Sequence, residues 1–268
     1  MESYLILCRS IEDSPTSEVG GYSVFSALSS RFTEKDVPDL FSHGDSGLRP
    51  ISVSRLYRMP EEKNDISAFF GTNNKPLRKG DMFGFRVVFL REGLSRLFFD
   101  HFGEKPLFLG KGQFFQPLDV LGPGFHPLCR KTSPDELRNS GFNAFRLSFL
   151  SPTGFSRNGL QIPVPIPELV FKSLLKKWQS FVSPDEWNGL ELYFGSVRME
   201  KFSLQSQPVW LKKQSVFRGC LGYCEYSFHH LDSEVRRAVS ALSLFSFFGG
   251  VGYKTAQGMG QVFPEALG

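Results

Sequence analysis

Hydrophobic and polar positions follow two different spacings along this chain, and each change of spacing marks a new element. Two-residue alternation or a short apolar run predicts a strand, whereas apolar residues three and four apart predict a helix. In the first half the predicted order is strand, helix, strand, strand, helix, strand, at residues 3–11, 21–32, 48–59, 81–90, 91–102 and 110–121. This βαββαβ order is typical of the ferredoxin-like fold.

The second half repeats that order after a segment rich in Pro, Gly and Ser at residues 122–141. Such a segment is typical of a boundary between domains. Strands are predicted at 145–150, within 189–204 and 209–228, and at 260–263, with helices at 167–182 and 233–248. We therefore predict an α+β protein of two tandem ferredoxin-like domains, with a first domain at 1–125, a connector at 126–141 and a second domain at 142–268.

The helix at 167–182 has the clearest pattern in the chain. Pro167 suits the first helical position, and Glu168 suits the positive end of the helix dipole. Its apolar stripe is predicted to contain Val170, Phe171, Leu174, Leu175, Trp178 and Phe181, and its solvent side Lys172, Lys176 and Lys177.

Composition restricts the class of protein. Hydrophobic residues make up 41% of the 268 residues and charged residues 22%, which is typical of a soluble globular chain, and 29 Phe predict an aromatic core. No apolar run approaches a membrane span, and four cysteines in this length do not suggest a disulfide framework. We expect a cytoplasmic protein with no membrane partner and no cofactor. The net charge of +4 permits an anionic partner and equally fits a slightly basic soluble protein.

A glycine-rich stretch, GGVGYKTAQGMGQVF, spans residues 249–263. Dinucleotide fingerprints and phosphate loops run from strand to loop to helix, whereas here a helix precedes the loop and a strand follows it. Two interpretations stay open. The glycines either make tight turns into an edge strand, or they leave backbone N–H groups bare as an anion site in which Lys254 supplies charge. A long polyanion lying across the loop would also need the missing side chains.

Five stretches together resemble one family. FRGCLGYCEYSF (217–228) and FFGGVGYKTAQGMGQV (247–262) resemble the C-terminal signature of the repeat-associated RAMP superfamily. LSFLSPTGFSRNG (147–159), PVPIPELVFKSLLKKW (163–178) and SHGDSGLRPISVSRL (42–56) resemble segments of its sixth Cas family, the CRISPR repeat-processing endoribonucleases. The glycine loop alone is shared with non-cleaving members of the superfamily.

The resemblance implies metal-independent cleavage of CRISPR repeat RNA, in which a 2′-hydroxyl attacks the adjacent phosphorus to give a 2′,3′-cyclic phosphate and a 5′-hydroxyl. His43 is the first candidate for proton transfer, because imidazole titrates near neutral pH. Arg49 lies near a position where the family often has a lysine, and it would stabilise the phosphorane electrostatically. Tyr22, on the first helix, is a catalytic candidate or a core residue.

Further residues are candidates for RNA binding. They are Arg55, Arg58, Arg157, Gly250, Gly252, Lys254, Gly258 and Gly260. The first two, with Arg49, give a basic segment free of carboxylates between Asp45 and Glu61, which is suited to phosphates.

A metal site is not predicted. Cys220, Cys224, His229 and His230 have a loose spacing for zinc, and buried free thiols are more ordinary. The acidic residues do not cluster as two-metal nucleases require.

The predicted partner is CRISPR repeat RNA, and the resemblance also allows membership of a multi-subunit CRISPR effector complex or a homodimer. An alternative function is that of a non-catalytic RNA-binding subunit of such a complex. The segment around His43 favours the enzyme, whereas the arginine at position 49 departs from the family pattern.

Overall fold

Antiparallel sheets and α-helices alternate along the chain in a computed structural model, which describes residues 1–14, 20–32, 48–60, 66, 76–110, 113–212 and 215–268. The described residues form two units. The first unit contains Met1–Lys131 together with Ala256–Gly258, and the second contains Thr132–Thr255 and Met259–Gly268. The sequence prediction had placed 256–258 in the second domain with the rest of the glycine loop.

The first unit is built on one sheet of six strands in the order β2-β4-β1-β6-β5, with β3 pairing with β4. All its pairings are antiparallel. Its elements are β1 (Glu2–Ser10), α1 (Gly21–Ser29), β2 (Ile51–Val53), β3 (Tyr57–Arg58), β4 (Met82–Phe89), α2 (Leu94–Phe102), β5 (Leu107–Phe108) and β6 (Phe114–Leu121).

Aromatic side chains dominate the core of this unit, as the phenylalanine content predicted. Phe89 of β4 packs on Phe98 of α2 with ring centroids 5.1 Å apart, and Phe98 stacks on Phe32 at 4.9 Å. Ala256 is buried in the same cluster. The core therefore fixes the loop segment 256–258 as well as the sheet and both helices.

The second unit contains a four-stranded antiparallel sheet in the order β10-β11-β7-β12 and a separate two-stranded hairpin of β8 and β9. The hairpin was not predicted. The elements are α3 (Pro134–Arg138), β7 (Ala144–Thr153), β8 (Phe155–Arg157), β9 (Leu160–Ile162), α4 (Pro167–Phe181), β10 (Arg198–Lys212), β11 (Ser215–Ser227), α5 (Ser233–Gly249) and β12 (Val262–Ala266).

A tryptophan organises the core of the second unit. The Trp178 ring meets Phe245 of α5 edge-on at 5.3 Å, so α4 and α5 pack against each other. The indole Nε1 donates to Glu186 at 2.9 Å, and the same carboxylate pairs with Arg138 at 2.8 Å. The buried indole N–H at this end of α4 thus has a charged acceptor.

Three predicted strands differ from the structure. The stretch 209–228 belongs to two strands, since β10 runs to Lys212 and β11 begins at Ser215. Residues 48–59 form two short strands, β2 and β3, rather than one. The predicted strand at 189–204 begins only at Arg198, since two 3-10 turns occupy 190–192 and 194–196. Leu190, Phe194 and Val197 are buried at helical spacing, which is why a strand interpretation of this stretch was wrong.

Backbone-to-backbone packing fixes the beginning of α1. A Cβ on Gly21 would lie 2.2 Å from the Cα of Gly258, and one on Gly258 would lie 2.4 Å from the Cα of Gly21. Gly258 also has a φ of +88°, which residues other than glycine rarely adopt. Each glycine therefore makes room for the other within the first unit.

We expect Gly21→Ala to destabilise the protein by about 1–3 kcal/mol, because the added methyl group has no space. Gly20→Ala is the matched control, since nothing lies within 4 Å of a Cβ at that position. Urea unfolding of both variants measures the difference. Equal stability of the two variants would contradict the packing at Gly258.

Candidate functional site

Two of the three residues predicted for catalysis lie among the described residues. Arg49 and Tyr22 are described, whereas His43 lies outside the described residues. The site is therefore built from α1 and the segment that starts at Leu48.

The hydroxyl-bearing face of α1 is turned away from the core. The buried residues of this helix are Gly21, Val24, Phe25, Ala27 and Leu28. Tyr22 is 39% exposed, so the core interpretation was wrong, and its catalytic role stays a prediction. Ser26, one turn further along, is also exposed. The exposed start of α1 thus carries a phenol and an aliphatic hydroxyl.

Arg49 packs against the same helix. Its guanidinium lies over the Phe25 ring, 4.7 Å from the centroid, and Phe25 follows Tyr22 by one helical turn. Burial lowers the pKa of Arg49 from its ordinary value. Arginine has so high an intrinsic pKa that the side chain stays cationic at neutral pH. The structure therefore brings a positive charge and Tyr22 to one helix of the first unit.

Arg55 and Arg58 have different surroundings. Arg55 lies over the Tyr57 ring at 5.1 Å, and its backbone N lies beside Gly258. Arg58 forms an ion pair with Asp81 at 2.6 Å and lies over Phe83 at 5.0 Å. The carboxylate that matches Arg58 comes from a distant part of the sequence, which explains why the local charge pattern missed it.

The glycine loop makes a turn between a helix and an edge strand. α5 ends at Gly249, Gly250 follows with a φ of +62°, and β12 is an edge strand of its sheet. The first of the two open interpretations is thus confirmed. Loop amides donate to acceptors of the protein itself: Gly250 to Ser246 O, Val251 to Gly260 O, Gly252 to Ser173 Oγ, Tyr253 to Gly154 O and Gly260 to Pro152 O.

The space beside the Cα atoms of the loop glycines is also occupied by other parts of the chain. A Cβ on Gly252 would lie 2.4 Å from the carbonyl oxygen of Gly154, and Gly252 has a φ of +80°. The chain's own backbone is therefore what approaches the loop at this glycine.

A buried lysine lies beneath the loop. Lys177 of α4 is 3% exposed, so its predicted place on the solvent side was wrong, whereas Lys172 and Lys176 are exposed as predicted. Its Nζ donates to the carbonyl oxygens of Gly249 at 3.0 Å, Gly250 at 2.9 Å and Gly252 at 3.4 Å. Burial lowers the pKa of Lys177 from 10.5 to about 7.

Tyr253 is a surface residue that the sequence prediction missed. Its ring is 44% exposed and stacks on the buried Phe217 at 5.7 Å, while the Lys254 Nζ lies 5.2 Å from its centroid. Arg157 is exposed on β8 and shares a face with Phe155, whose ring adjoins the Gly252 position. An exposed aromatic ring next to a basic side chain is suited to a nucleobase and its phosphate. The Tyr253-Lys254 pair within the glycine loop is the sequence feature that could have predicted this surface.

No group of three or more His, Cys, Asp or Glu in the described part of the chain could hold a metal ion. Cys220 and Cys224 are buried free thiols, and burial raises their pKa to about 12 and about 11. Among the described helices, none is long and apolar enough to cross a bilayer.

Comparison with known proteins bears on this arrangement. Residues 147–262, which contain the glycine loop and Lys177, match the model of the CRISPR-associated endoribonuclease Cas6 family. The predicted resemblance to the Cas6 family is confirmed. A CRISPR-associated endoribonuclease Cas6 of Mycobacterium tuberculosis is 35% identical over 125 residues. That match covers 46% of this chain, and it spans only 39% of the length of the relative.

Solved Cas6 structures share the fold over nearly the whole chain. A Cas6 product complex has a TM-score of 0.79 at 24% identity and covers 99% of this chain and 100% of that one. Thermus thermophilus Cas6 has a TM-score of 0.69 at 22% identity and covers 98% of each chain.

Lys177 predicts a specific pH dependence of stability. Below pH 7 the lysine is protonated in the folded and the unfolded chain, so it contributes no slope. Between about 7 and 10.5 the unfolded chain binds more protons there, so stability rises with pH. We expect wild type to gain up to about 1 kcal/mol per pH unit relative to Lys177→Met in this range. Urea unfolding at pH 7.5 and 9.5 checks this, and parallel profiles would contradict it.

Proposed function

We propose that this protein is an endoribonuclease that cleaves CRISPR repeat RNA. The observation that carries the proposal is the match of residues 147–262 to a family of CRISPR-associated endoribonucleases. The net charge of +4 and the basic, aromatic surface at Tyr253 are in keeping with an RNA substrate. Membership of an effector complex and homodimer formation remain predictions.

The proposed reaction uses only the RNA and side chains of this protein. The 2′-oxygen forms a bond to the adjacent phosphorus as its proton passes to a base, and the bond from phosphorus to the 5′-oxygen breaks as that oxygen takes a proton. The products are a 2′,3′-cyclic phosphate and a 5′-hydroxyl. DNA has no 2′-hydroxyl, so it is not cleaved.

In this proposal His43 transfers the protons, and Arg49 stabilises the negative charge of the phosphorane. Arg49 fits this role because its guanidinium is held over Phe25 at 4.7 Å and stays charged. Tyr22 supplies a hydrogen bond or a proton from the start of α1, where its side chain is 39% exposed.

We also propose that each unit is a ferredoxin-like domain. In the first unit the strands that frame α1 and α2 lie in the order β2-β4-β1-β6, and in the second unit the order is β10-β11-β7-β12. In both, the first strand of the βαββαβ series lies between the third and the fourth. The division into 1–125, 126–141 and 142–268 remains a prediction.

RNA binding is assigned to side chains around the glycine loop rather than to its amides. Tyr253 stacks on a base, while Lys254 and Arg157 contact phosphates. Gly250, Gly252 and Gly260 act through the shape of the loop, because their amides donate to the protein itself. In the first unit, Gly258 keeps Arg55 near the start of α1. Arg58 is the weakest candidate, since Asp81 neutralises it.

Cleavage of the repeat RNA from the protein's own genome, in excess chelator, tests the reaction. We expect cutting of the all-ribose RNA and none of a copy with a 2′-deoxy group before the scissile phosphate, because the attacking oxygen is then absent. His43→Ala should lower the cleavage rate at least about a hundredfold with little loss of binding. Single-turnover rates and electrophoresis of the products measure both.

His229→Ala is the control for the histidine, since His229 is exposed in the second unit. Binding without cutting in the wild type would contradict the enzyme and favour a non-catalytic RNA-binding subunit. Cutting that stops when chelator is added would contradict the metal-free mechanism.

Tyr253→Leu tests the binding surface. Loss of one stacked base is expected to weaken RNA binding about five- to a hundredfold. Tyr193→Leu is a matched control, because Tyr193 is 46% exposed and lies between the two 3-10 turns at 190–192 and 194–196. Fluorescence polarisation with a non-cleavable 2′-deoxy repeat measures both dissociation constants. Equal affinities of the two variants would remove Tyr253 from the interface.

A further inference from the structure

Lys177 is the one basic residue of α4 that lies under the glycine loop rather than in solvent, among Lys172, Lys176 and Lys177. In its protonated form, which predominates below pH 7, Lys177 has three hydrogens to donate, and three carbonyl oxygens lie within 3.4 Å of its Nζ. The number of donors therefore equals the number of acceptors.

Two of these acceptors belong to the end of α5. Gly249 is the last residue of that helix and Gly250 is its C-cap. The last carbonyls of a helix have no partner inside it and carry the negative end of the helix dipole. A cation at this point is stabilised by the dipole, and it satisfies oxygens that would otherwise be buried without a hydrogen bond.

The third acceptor orients the residue before Tyr253. The Gly252 carbonyl accepts from Lys177 at 3.4 Å, and the Gly252 amide donates to Ser173 Oγ at 3.0 Å. Ser173 and Lys177 lie four residues apart and so share one face of α4. That face therefore holds both polar groups of Gly252, and the next amide, of Tyr253, donates to Gly154 O at 2.9 Å.

We propose that Lys177 is a positioning residue for RNA binding: it sets the loop conformation in which Tyr253 and Lys254 face the RNA. The inference rests on the proposed function and adds to it a residue that does not itself touch RNA. Lys177 acts through hydrogen bonds to the loop backbone, so its charge contributes little to the attraction of phosphates.

The test compares Lys177→Met with Lys176→Met. At pH 6, where Lys177 is protonated, both changes remove one positive charge from the same helix, but Lys176 is exposed. Hydrogen exchange followed by mass spectrometry should show faster exchange at residues 249–255 in Lys177→Met alone, with α4 and β7 unchanged. RNA affinity, measured with the non-cleavable repeat, should fall about fivefold or more in Lys177→Met and less than twofold in Lys176→Met.

A double variant separates positioning from a general loss of stability. If Lys177 acts by presenting Tyr253, Tyr253→Leu should weaken binding much less in the Lys177→Met background than in wild type. Ser173→Ala is the second variant, since it frees the Gly252 amide without changing a buried charge. It should raise exchange in the same loop peptide and weaken RNA binding in the same direction, and it carries the test if Lys177→Met does not fold.

Three results would overturn the inference: loop exchange equal in Lys177→Met and Lys176→Met, faster exchange spread over the whole second unit, or full additivity of the Lys177 and Tyr253 effects. A wild-type protein that binds no repeat RNA would instead contradict the proposed function. Loop exchange is measured without RNA, so the two failures are distinguishable.

Discussion

Two carbonyl oxygens at the end of α5 and a third in the glycine loop converge on the buried amino group of Lys177, and the conformation of the glycine loop follows from that contact. Gly249, Gly250 and Gly252 supply the oxygens, and Lys177 supplies the donors. The amides of Gly250, Val251, Gly252, Tyr253 and Gly260 donate to backbone and serine acceptors of the second unit. A loop held in this way leaves its side chains, rather than its backbone, to meet a ligand.

Close backbone approach is the second constraint. Gly252 meets the Gly154 carbonyl in the second unit, and Gly258 meets Gly21 in the first. At Gly258 this packing lies at the start of α1, the helix that carries the exposed Tyr22 and contacts Arg49. These glycines allow close packing of the backbone. They affect RNA chemistry only indirectly, because this packing positions the neighbouring side chains.

The order of helices and strands was readable from the sequence because each element buries one face at a regular spacing. The strand at 189–204 was misread since Leu190, Phe194 and Val197 repeat at helical spacing in a stretch with a high apolar content. The prediction for Lys177 was wrong because it followed the charge of the residue rather than its spacing. Lys177 lies seven residues after Val170, which places it on the buried stripe of the helix, but its charge suggested a solvent-exposed position. The ion pair between Arg58 and Asp81 could not be predicted from the sequence, because the two residues are close only in the folded protein.

The central claim is that side chains of the glycine loop contact RNA. Photo-cross-linking with repeat RNA that carries 5-iodouridine tests this claim most directly, with the cross-linked peptides identified by mass spectrometry. Stacked aromatic side chains are the groups closest to the iodinated base, so the account predicts an adduct on Tyr253. Adducts confined to peptides outside residues 249–260 would contradict it.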